Sequence, residues 1–100
     1  MAKSIVQEDK SHCYICGRNG HSDPLDCHHV FFGKPYRKLS ETYGLKVYIC
    51  HDHCHVFGEN AVHRNAEICR ELQARVQKIA MEHYGWSVED FIAIFGKNYL

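Results

Sequence analysis

A chain of 100 residues makes one small domain, and its twelve Lys and Arg balance twelve Asp and Glu, so net charge neither favours nor excludes an acidic partner. A domain of this size buries only about 60 to 70% of the surface its unfolded form exposes, which makes a staple a useful supplement to the core. No stretch is long and apolar enough to span a bilayer, and MAKSIVQEDKSH lacks the apolar centre of a signal peptide; no membrane partner and a cytoplasmic address are the expectations.

Residues 1–11 read as a loose polar lead-in, and residues 12–100 as a single domain whose part from 64 to 100 is helical. CYICGRNGHSDP (13–24) is a knuckle followed by a loop rich in Gly, Asn, Ser, Asp and Pro. Leu25 to Phe32 is a strand candidate, and it sets His28 beside His29. Neighbouring residues of a strand face opposite sides, so the two imidazoles cannot do the same job. KPYRKLSETYG predicts a short helix with Tyr36, Leu39 and Tyr43 on one face and Gly44 as its stop. LKVYIC (45–50) predicts a second strand, antiparallel to the first. Between His28 and Lys46, the cations Lys34, Arg37, Lys38 and Lys46 outnumber the single anion Glu41, with Phe31, Phe32, Tyr36 and Tyr43 among them. Such a segment suits either a phosphate backbone or plain solvent exposure.

A loop through VFGEN follows, after which Asn65 caps a long helix. Ile68, Leu72, Val76, Ile79 and His83 form its apolar stripe, with Cys69 beside it as a core residue. Ser87 and Asp90 resemble a capping box, Trp86 and Phe91 occupy staple positions, and Gly96 ends the last helix. This C-terminal third reads as scaffold.

The chemistry lies upstream. In a reducing compartment, six cysteines and nine histidines point to metal ligands and core packing rather than disulfides. Cys13-Tyr-Ile-Cys16-Gly17 is a C-x-x-C-G turn, in which Gly17 supplies the backbone freedom that aims N–H groups at two zinc-bound sulfurs. The second ligand pair falls in CHDHCH: Cys50, with Cys54 or His53 as its mate. Structural Zn2+ contributes folding free energy, on the order of 10 kcal/mol in apparent binding. His51 reads as solvent-facing, His12, His21 and His83 carry no assigned role, and Cys27 is placed in packing around the histidine pair.

The segments CYICG, HHVFFG, RKLSETYGL and AVHRN together resemble a family of small HNH-type (ββα-metal) endonucleases carried by bacterial prophages, over roughly residues 13 to 100. That resemblance implies an α+β fold, a zinc-stapled β-hairpin plus helix with a C-terminal helical scaffold. It implies a catalytic divalent metal, Mg2+ or another, bound by His28, with His55 and His63 as further ligands, and His29 as general base. The division of labour is chemically sound, because a metal-bound imidazole has surrendered the lone pair that a base needs. The chain departs from the family in two places. Members often carry C-x-x-H-H where it has C-x-x-x-C-H, which leaves the register of residues 50–55 open by one, and often asparagine where Tyr36 stands.

Two functions from different classes follow. One is a metal-dependent DNA endonuclease; the other is a non-catalytic zinc module of phage origin that binds nucleic acid or protein. Four histidines beyond the zinc ligands favour the first. A homodimer stays open, since one such unit attends to one strand and a double-strand cut needs two.

Overall fold

The two adjacent histidines close the first strand, β1 (Leu25–His29), which pairs antiparallel with β2 (Lys46–Cys50) in a two-stranded sheet. Leu25 lies opposite Cys50, His28 opposite Val47 and His29 opposite Lys46. The chain is seen here in a computed structural model that describes residues 3–59 and 61–100. Between the strands runs α1 (Tyr36–Tyr43), stopped by Gly44 at φ 71°, a left-handed cap that a side chain would resist. After β2 come a π-helical turn (His51–Val56), the long helix α2 (Ala66–Tyr84) and the short helix α3 (Val88–Phe95). The result is a small α+β fold, and no helix among the described residues is long and apolar enough to cross a membrane.

β1 is shorter than the predicted 25–32. The reason lies at Phe31, whose backbone N–H donates to Ser40 Oγ (3.2 Å) and whose carbonyl accepts from the same hydroxyl (2.7 Å). With both groups satisfied by a side chain of α1, the segment leaves the ladder and drops Phe31 into the core. There its ring meets Phe91 (5.3 Å between centroids), Phe95 (4.9 Å) and Tyr99 (5.0 Å), which anchors α3 directly behind the histidine pair. Val30, Leu45, Val47, Ile49, Val76 and Ala80 complete this fully buried centre.

Three further expectations are corrected. The lead-in is not loose where it is described: Ile5 N–H donates to the Gly44 carbonyl (3.0 Å), Ser4 Oγ to the Lys46 carbonyl (2.5 Å), and Tyr48 N–H to Gln7 Oε1 (2.8 Å). A two-stranded sheet has open edges, and this segment covers that of β2; residues 1 and 2 of the predicted lead-in lie outside the described residues. The stripe of α2 turns as it advances, so that Cys69, Leu72, Val76 and Ala80 are buried while Ile79 is half-buried and His83 is exposed. The loop after β2 is the third correction. Its first residues wind into the π turn, closed by Phe57 N–H on the Asp52 carbonyl (2.9 Å) and started by Asp23, whose carboxylate accepts from Asp52 N–H (2.8 Å) and His53 N–H (2.9 Å). The other helix signals hold: Asn65 accepts from Glu67 N–H and Ile68 N–H, and Ser87 with Asp90 makes a full capping box.

Candidate functional site

Three groups of side chains among the described residues could hold a metal, and one of them, Asp26, His51 and His55, shares His55 with another. The first is Cys13, Cys16, Cys50 and Cys54, whose sulfurs all lie within 4.8 Å of one another. The knuckle is built as its sequence suggests: Gly17 N–H donates to the Cys13 carbonyl (3.0 Å), Cys16 N–H points at Cys13 Sγ (3.4 Å), and Gly17 takes φ 79°. The π turn brings the other two ligands together, since its wide winding returns Cys54 toward Cys50. Cys16 Sγ and Cys50 Sγ are 3.5 Å apart, far beyond a disulfide bond, and all six cysteines are free. His53, the alternative fourth ligand, stands outside the cluster with its Nδ1 3.3 Å from Cys54 Sγ, where it can donate to the sulfur. The donor set fits zinc. Burial pushes the Cys50 thiol up to about 12 and Cys54 higher, while at Cys13 the N–H groups of Cys16, Cys50 and Ile15 outweigh burial and bring it down to about 7. A cation is what would hold all four as thiolates in so small an apolar setting.

The second cluster is His28, His55 and His63. Their rings form a near-equilateral triangle, with centroids 5.1 Å apart for His28–His55, 5.1 Å for His28–His63 and 4.7 Å for His55–His63. β1 supplies His28, the π turn supplies His55, and the loop before α2 carries His63, whose N–H donates to the His55 carbonyl at 3.1 Å. His28 is 3% exposed, and its Nε2 is the one buried side-chain nitrogen or oxygen among the described residues that lacks a hydrogen-bond partner. Leaving it so costs about 1–3 kcal/mol, which a bound cation would remove. Burial, and then the nearness of His55, His63 and His29, pushes His28 down to about 3, so its lone pair is free at neutral pH. Burial and His55 lower His63 as well. This donor set also fits a divalent cation.

Two acidic residues that the sequence did not single out organise these imidazoles. Asp26 Oδ2 accepts from His55 Nδ1 (2.9 Å) and from His51 Nδ1, so His51 is not merely solvent-facing. Burial works against the Asp26 carboxylate, but the two histidines hold it below its ordinary range and it raises His51 in return. With Nδ1 committed to Asp26, His55 keeps Nε2 for its neighbours. Period-2 alternation places Asp26 on the same face of β1 as His28, and that was the available signal. The second residue is Glu41, whose Oε1 is 2.9 Å from His29 Nε2 and whose Oε2 accepts from Lys46 Nζ at 2.6 Å. Lys46 first and His29 second hold Glu41 down to about 2. An ionised carboxylate only accepts, so neutral His29 carries its proton on Nε2 and its lone pair on Nδ1. No sequence spacing announces this contact, because Glu41 reaches β1 from α1.

The imidazole triangle opens into a cleft of about 280 Å³ that His29, Phe32 and Arg37 also line. A larger groove of about 750 Å³, bordered by Lys34, Arg37, Lys38 and Glu41, shares His29 and Arg37 with it. Cys27 lies at the cleft wall, and His12, next in sequence to Cys13, pairs with Asp9 on the surface. Set against protein-family models, curated proteins and solved structures, the chain matches none.

Proposed function

We propose that the protein is a metal-dependent endonuclease that hydrolyses DNA phosphodiester bonds, with zinc at the four cysteines as a structural staple. The observation that carries the reading is the buried, partnerless Nε2 of His28 beside His55 and His63, next in sequence to a histidine held by its own carboxylate. A zinc module that only binds has no use for either arrangement.

His28, His55 and His63 would hold the second cation. Imidazoles are borderline donors and suit Co2+, Ni2+ or Zn2+ better than Mg2+, which prefers oxygen, with Mn2+ between the two. The chemistry such an ion would supply is Lewis acidity toward the phosphoryl group and toward the charge that develops on the leaving 3′ oxygen. The chain's own residues do the rest. Glu41 fixes the ring and tautomer of His29, leaving Nδ1 to take a proton from the attacking water. Water oxygen bonds to phosphorus as the bond to the leaving oxygen breaks. Arg37, on the border of cleft and groove, pairs with phosphate oxygens, and Lys34 and Lys38 continue the cationic track.

Nicking of supercoiled plasmid by the purified protein with Mn2+ tests this. His29→Ala is expected to lower the rate by roughly 10²- to 10⁴-fold while the thermal midpoint stays unchanged. Undiminished nicking by His29→Ala would refute the assignment.

A further inference from the structure

Beyond the triangle, the site carries a row of rings. Phe32 stands 5.1 Å from His63, His63 4.7 Å from His55, His55 6.4 Å from His51 and His51 6.1 Å from Phe57, all between centroids. The two ends of the row are wet: Phe32 is 42% exposed and Phe57 is 60% exposed. Phe31, next to Phe32, is fully buried, so the core had a place for one of these rings and the chain leaves the other at the mouth of the cleft. Burying a phenyl ring is worth about 2 kcal/mol, and an exposed pair flanking a polar site forgoes that stabilisation. At the Phe32 end of the row, the cleft shares His29 and Arg37 with the groove that carries Lys34, Arg37 and Lys38, all exposed and facing one carboxylate, Glu41, that is already engaged by Lys46 and His29.

A duplex offers this surface its phosphates but hides the faces of its bases in the stack. An unpaired strand offers both. Aromatic rings for base faces beside a cationic track for the backbone is the combination that single-strand binding uses.

Resting on the nuclease reading above, we infer that the strand accepted at this site is unpaired, a single-stranded stretch, flap or loop whose base beside the scissile phosphate stacks on Phe32. Phe57 at the far end of the row receives a base further along the same strand. The exposed rings supply affinity without sequence information, so the preference is for strand state rather than sequence.

Fluorescence anisotropy with a labelled single-stranded oligonucleotide and the same sequence as a duplex tests the inference, in the His29→Ala background so that bound DNA is not cut. The single strand is expected to bind more tightly. Adding Phe32→Ala should weaken the single strand roughly tenfold and leave the duplex unchanged, and Phe32→Trp should restore single-strand affinity. Tighter duplex binding, or equal weakening of both forms by Phe32→Ala, would overturn it. Failure of the nuclease reading shows separately, as absence of Mn2+-dependent nicking by the wild-type protein while the strand preference persists.

Discussion

Glu41 holds together two groups, the His29 imidazole at 2.9 Å and the Lys46 ammonium at 2.6 Å. Lys46 is almost wholly buried, with a side chain 3% exposed, and Glu41 is its partner at 2.6 Å. Removing the acid strands a cation in the interior, so Glu41→Gln is expected to cost about 2 kcal/mol in urea unfolding, and Glu41→Gln with Lys46→Met to recover most of it. The pH dependence follows the depressed carboxyl. Its contribution is complete above the ordinary value of 4.5 and is lost as pH falls through about 2, so wild type should lose stability more steeply than Glu41→Gln across that window. Asp26 acts on the other side of β1 by fixing His55. Asp26→Asn should weaken cation binding at the imidazole triangle by roughly 10- to 100-fold and leave zinc at the thiolates untouched, as read by competitive metal titration.

At the scale of elements, local rules go far and then stop at a definite point. The caps at Asn65 and Ser87, the stop at Gly44 and the pairing of residues 25–29 with 46–50 were all legible, because each depends on neighbours in sequence or on alternation. The end of β1 and the π turn were not. Both are set by a side chain from elsewhere: Ser40 takes the backbone of Phe31, and Asp23 takes the N–H groups that begin the turn. The site divides in the same way. The cysteines and His28, His29, His55 and His63 could be named from residue type and order, whereas Asp26 and Glu41 are recognised only once the chain has folded. Ser40→Ala is therefore expected to destabilise the protein by about 2 kcal/mol, because it leaves two buried backbone groups of Phe31 without partners, and chemical denaturation would show it.

For the whole molecule, the sheet is too small to hold its own shape, and it is secured from both ends. A zinc ion at the four-cysteine cluster would tie the knuckle to β2 and the π turn, while Phe31 is gripped by Phe91, Phe95 and Tyr99. Loss of zinc should release the first tether, so Cys16→Ala, or chelation strong enough to strip thiolates, is expected to abolish the cooperative thermal transition. The imidazole triangle carries no such burden. Its ligands come from three separate segments that backbone hydrogen bonds already hold in place, including Val62 N–H on the Cys54 carbonyl (2.8 Å) and His63 N–H on the His55 carbonyl (3.1 Å). On the proposed reading, a cation bound at a site held open in this way would exchange without unfolding the domain. Elemental analysis of the folded protein in equilibrium dialysis against Mn2+, for wild type and His63→Ala, tests the second centre most directly. The expected result is one zinc in both and a second cation in wild type alone; a single cation in each, with identical folding, would contradict the existence of a second metal centre.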